Sequence, residues 1–87
     1  MANPEVISCP ANEWTLVAAA IIVGVLHRVG DTTYLQTYRM AGEAAPSDSE
    51  VGVRLFAEVT TAEISASNAI DVYVKAIGTA GAVRVDR

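Results

Sequence analysis

The stretch that decides the fold is Ala69-Ile-Asp-Val-Tyr-Val-Lys-Ala76. Ile70, Val72, Val74 and Ala76 share one parity, and Asp71, Tyr73 and Lys75 the other. Side chains alternate across a β-strand with period two, so this pattern reads as a strand with one apolar and one wet face. Gly78-Thr-Ala-Gly81 follows as a turn, and Ala82-Val-Arg-Val-Asp86 alternates again with Val83 and Val85 inward. The two runs with a Gly-containing link read as a β-hairpin.

Working outward, Val53 to Val59 alternates with Val53, Leu55, Ala57 and Val59 on one side. Thr33 to Arg39 reads as a strand with Tyr34 and Tyr38 on one face, and Glu63–Ser65 as a short one. Trp14 to Arg28 reads as two strands broken near Ala18–Ala20, with Gly24 a bulge. A helix there would need apolar burial all round, which so small a domain can hardly supply. Ala41 to Glu50 is a long loop with Gly, Pro and acids, and its Ser47-Asp48-Ser49-Glu50 reads as a plain turn rather than a calcium loop. Glu5 to Asn12, with Pro4 and Pro10 nearby, reads as an extended arm. The expected fold is all-β: one domain over 1–87, a small antiparallel β-sandwich or barrel of six to seven short strands, with arm 1–12 and core 13–87.

Composition agrees. Val outnumbers Leu 12 to 4, and Val, Ile and Thr together supply 25 of the 87 residues. Such residues suit a pleated, half-buried surface. Ala, with 15 copies, is the opposing signal, because it favours helix. Hydrophobic residues make up 52% and charged ones only 18%, against a usual ~25% charged. A disordered tail, a nucleic-acid arm and a coiled coil are excluded on these figures.

So short a chain buries a smaller share of its surface than a large domain, and small scaffolds lean on disulfides, metals or partners. Cys9 is the single cysteine and His27 the single histidine, so neither an internal disulfide nor a Cys/His zinc cage is possible. Association with other chains is the supplement left. The net charge is −4, and the six bases are scattered, so neither nucleic acid nor an anionic membrane is an expected partner. The apolar run Leu16 to Leu26 is too short for a spanning helix, which needs about 20 residues. Met1 to Glu5 lacks the basic start of a signal peptide, so synthesis in a reducing cytoplasm is expected.

Catalytic chemistry finds little footing. His27 lies in an apolar strand pattern beside Arg28, which suits a strand-end or interfacial histidine better than a general base. Cys9 beside Pro10 suits a buried or interfacial thiol. Asp71 with Asp86, and Glu58 with Glu63, could pair as carboxylates, but each lies where a solvated strand face puts charge. Gly78 and Gly81 are too few to cradle a phosphate. Trp14, Tyr34, Tyr38, Phe56 and Tyr73 could stack on bases or sugars, though a β core of this size uses about as many. No catalytic residue, metal or cofactor is expected.

Three segments carry a resemblance: Cys9 to Val17 (CPANEWTLV), Tyr34 to Asp48 (YLQTYRMAGEAAPSD) and Ile70 to Asp86 (IDVYVKAIGTAGAVRVD). They resemble the small head-decoration, or capsid cement, proteins of tailed bacteriophages, over about half the chain. The resemblance implies a compact β domain, often trimeric, that sits on the capsid surface, binds the major capsid protein and clamps its subunits. It transfers no site residue. The expectation is a non-enzymatic virion protein, made in the host cytoplasm, that self-associates as a trimer. A small carbohydrate- or ligand-binding β module is the alternative, and it expects Trp14, Tyr34, Tyr38 or Tyr73 in an exposed row.

Contacts are expected from the arm through Val6 and Ile7, from the loop through Glu43 and Pro46, from Tyr34 and Tyr38 as aromatic anchors, and from Val83 and Val85 at a sheet edge.

Overall fold

The computed structural model of the chain describes residues 5–56 and 60–86. The fold is all-β and antiparallel. Six strands run β1 (Glu5–Cys9), β2 (Trp14–Val29), β3 (Thr33–Met40), β4 (Val53–Leu55), β5 (Thr61–Ile77) and β6 (Gly81–Asp86). They form one sheet in the order β1-β6-β2-β5-β3-β4. The expected strand positions at 57–59, Glu58 among them, lie outside the described residues, as do 1–4 and Arg87.

Two of the strands are long rather than short: β2 has 16 residues and β5 has 17. They serve both halves of the sheet because each changes register midway. Leu16 faces Tyr73, Ala18 faces Val72 and Ile21 faces Ile70, so β2 carries extra residues at Val17 and within Ala19–Ala20. Val23 then faces Ser65, so β5 inserts Ala66 to Ala69 where β2 has only Ile22. Extra residues of this kind bend a strand and re-aim its side chains. Trp14 to Arg28 is thus one bent strand, and the irregularity does fall at Ala18–Ala20. Gly24 is not the bulge: the ladder runs regularly from Val23 to His27.

The bends fold the sheet over its apolar face. On a flat sheet β3 and β6 would lie three strand spacings apart, about 14 Å. Instead the Tyr34 hydroxyl accepts from Ala82 N and donates to Ala82 O, both at 2.9 Å. Gly81 makes this approach possible, since a Cβ there would overlap the Tyr34 hydroxyl. The core sits between the two halves. Val72, Val74, Ala76, Tyr34 and Phe56 pack from one, and Leu26, Val83, Val85, Ile64 and Cys9 from the other. Tyr34 and Phe56 meet edge to face, with ring centroids 5.8 Å apart.

Two expectations are corrected here. The hairpin of residues 69–86 does not form, because β6 leaves β5 after the turn and inserts between β1 and β2. Val83 and Val85 therefore lie in an interior strand, not at an edge. The wet face of β5 is also covered: Asp71, Tyr73 and Lys75 are all buried. The chain between β3 and β4 crosses that face and holds it by polar contacts. Gly42 N donates to Asp71 Oδ2 at 3.3 Å, and Lys75 Nζ donates to Asp48 O. Thr37 Oγ1 donates to Glu50 Oε2 at 2.8 Å, and Arg39 pairs with Glu50.

Candidate functional site

Cys9 is 1% exposed, and burial pushes its thiol up to about 11. It is thus a protonated core residue at neutral pH, without the thiolate that nucleophilic chemistry needs. His27 lies on the outer face of β2, where Nε2 meets Asp86 Oδ2 at 2.7 Å. Arg84 Nη2 reaches the same oxygen at 3.2 Å. His27 and the Arg84 guanidinium thus share one Asp86 oxygen, away from Cys9 in the interior. Asp71 and Asp86 fall on different halves of the sheet, so they form no working pair. Among the described residues no cluster of three or more His, Cys, Asp or Glu is placed to hold a metal ion.

The residues expected at contacts divide sharply. Val6 and Tyr38 are 63% and 61% exposed, and Glu43 is exposed too. Ile7 is half-buried, packed against the core. Tyr34, Val83 and Val85 are buried in the monomer core, so their side chains anchor no outside surface. Pro46 is buried as well, and Glu43 Oε1 accepts from Met40 N at 2.8 Å. The loop Gly42 to Glu50, expected to touch a shell or sister subunit, spends its inner side on its own sheet. The arm behaves similarly. Glu5 to Cys9 pairs with β6, and Asn12 N donates to Ala76 O at 2.6 Å.

Sequence reasoning missed a cleft that the described residues form. It lies where the folded halves part, between the end of β3 and the inserted residues of β5, and encloses about 400 Å³. Gln36, Tyr38 and Met40 line one side, and Glu63, Ser65, Ser67 and Asn68 the other, with Ile64 and Ile70 at the base. On β3, Tyr34, Gln36 and Tyr38 share a face; that face is core at Tyr34 and cleft wall at Tyr38, although β5 stays paired with β3 as far as Met40 and Ile70. The signal in the sequence was Ser65-Ala-Ser-Asn-Ala69, a run of small and polar residues between two apolar halves of a strand.

Several large apolar side chains are exposed. Val6, Val23 and Val29 stand on the outer face of the half that carries His27, with Ile22 exposed close by. Tyr38, Met40, Val51 and Val53 are exposed on the other half, Val51 by 88% and Val53 by 75%. β4, which carries Val53, is an edge strand of three residues. No protein-family model matches this chain, and neither a curated protein nor a solved structure matches it.

Proposed function

We propose that the chain is a structural protein of a virus particle, which self-associates as a trimer and binds the outer surface of a phage capsid, bridging its subunits. The observation that carries the reading is the exposed apolar surface just described. Exposed apolar side chains become contact points where an assembly sets the same surface of each copy against a neighbour. The resemblance of segments 9–17, 34–48 and 70–86 to capsid cement proteins supports the same reading. So does the construction: a folded sheet that ends in β1 and β4, the strands at which a neighbour's chain would add by main-chain pairing. Many weak copies around a shell gain from effective concentration.

A sugar-binding module of the kind built on an aromatic row is not favoured, because Tyr34 and Tyr73 are buried and on opposite faces of the sheet. The test is to mix the protein with undecorated phage heads and pellet them. The account expects a coat of fixed stoichiometry that saturates and raises the temperature at which the heads rupture. Protein that stays in the supernatant at every ratio contradicts it.

A further inference from the structure

The long strand β5 has a strand on both sides over only part of its length. Thr61 to Ser65 pairs with β2, while β3 pairs with β5 only from Ile70 to Ile77. On the side away from β2, Thr61 to Ser65 therefore has no strand neighbour among the described residues. Its backbone is turned that way. Arg28 N donates to Thr60 O at 2.8 Å, one step beyond the Thr61–His27 pair of the same ladder. Bonded pairs alternate along an antiparallel ladder, so Ala62 and Ile64 are the residues bonded to β2. The N–H and C=O groups of Thr61, Glu63 and Ser65 then point away from β2, along the cleft.

A second observation lies across that cleft. Tyr38 and Met40 share the parity of Tyr34 on β3, and Val53 shares that of Leu55 on β4. Tyr34 and Leu55 are core, yet Tyr38, Met40 and Val53 are 61%, 47% and 75% exposed. The inner face of this half thus runs on past the place where the other half stops covering it. A strand edge without a neighbour, facing an uncovered inner face, is a place for one more strand.

The surroundings specify that strand. Glu63 faces Val25 and stands on the outer side of the sheet, whereas Ile64 is turned inward. The added segment needs apolar residues of one parity for the inner side and a cation of the other parity beside Glu63. Val51-Gly-Val-Arg-Leu55 has this pattern, with Val51, Val53 and Arg54 all exposed. It includes β4, which ends the sheet and pairs on one side only, with β3. Because β3 holds β4 on its own wall, this segment reaches the Thr61–Ser65 edge only from a second copy.

We infer that β4 of one copy adds as a strand to the Thr61–Ser65 edge of the next. Val51 and Val53 turn inward over Ile64, Tyr38 and Met40, and Arg54 lies beside Glu63. This rests on the self-association proposed above and names its seam. The two edges differ, so the contact is head-to-tail, and such contacts close into rings.

Arg54 and Glu63 are both exposed, so substitutions there leave the fold intact. The first experiment is sedimentation velocity of Arg54→Glu, Glu63→Arg and the double variant. Each single variant sets like charges together and is expected to weaken association about tenfold, while the double variant, with the pair reversed, returns to the parent's value. The second mixes an Arg54→Cys chain with a Glu63→Cys chain under mild oxidation; Cys9 is buried, which leaves the introduced thiols as the reactive ones. A disulfide joining the two different chains is expected, and none when Val6→Cys replaces Glu63→Cys. A parent that associates while its mixed cysteine variants fail to cross-link overturns the seam and leaves self-association standing. A double variant no better than the singles, or equal cross-linking to Val6→Cys, also overturns the seam. A parent that stays monomeric at every concentration overturns both.

Discussion

Ala20 has a left-handed backbone, with φ of 51°, inside the middle of the three register shifts between β2 and β5. A Cβ in that conformation costs roughly 1–2 kcal/mol, and the bend persists because Asp71 Oδ1 accepts Ala20 N at 2.9 Å. Glycine removes the steric cost but loses more entropy on folding, by about 0.4–1 kcal/mol. Ala20→Gly is therefore expected to stabilise the protein by about 0.5–1 kcal/mol in urea denaturation, although glycine in a strand interior usually destabilises. Cys9 gives a second test at this scale. Its folded pKa lies above that of the unfolded chain, so the stability it contributes is complete below pH about 9. That contribution is lost as pH rises towards about 11, where the unfolded thiol ionises before the native one. The difference in stability between the parent and Cys9→Ala should shrink across that window. At pH 8 the native thiol should react with a disulfide reagent far more slowly than the same protein in urea.

At the scale of elements, β5 shows both what the residues announce and what they conceal. Its period-two pattern from Ile70 to Ala76 marks the inner face correctly: Val72, Val74 and Ala76 are fully buried. The polar parity looks wet because Asp71 and Lys75 are charged and the chain that covers them, residues 41–52, has no periodicity to declare where it packs. The β6 pattern is equally legible in Val83 and Val85, but parity names a face and not a neighbour. The turn at Gly78–Gly81 suits a hairpin, and what draws β6 away is the slot between β1 and β2. There its backbone pairs on both sides and Ala82 meets the Tyr34 hydroxyl. The cleft was hidden for the same reason, since an insertion in β5 shows only when its register against β2 is known. Asp71 joins these features, holding the bend of β2 and the covering loop at once. Asp71→Ala leaves Ala20 N and Gly42 N without their acceptor, which should cost about 1–3 kcal/mol. Hydrogen exchange should accelerate at those two amides first, while the β1–β6 ladder keeps its protection.

For the whole molecule, the balance is between a small core and an apolar outside. The folded halves enclose one cluster, stapled by neither disulfide nor metal among the described residues. The large side chains left in water, Val6, Val23, Val29, Val51 and Val53 among them, gain most by facing another chain. Charge-poor surfaces and paired edges are what a symmetric assembly needs, because one patch recurs in every copy. The most direct measurement is sedimentation velocity of the pure protein over a wide concentration range, with the double variant Val51→Asp/Val53→Asp beside it. A trimer that forms without added ligand, and a variant that sediments as a folded monomer, are the predicted results. A parent protein that remains a monomer at every concentration would contradict the account.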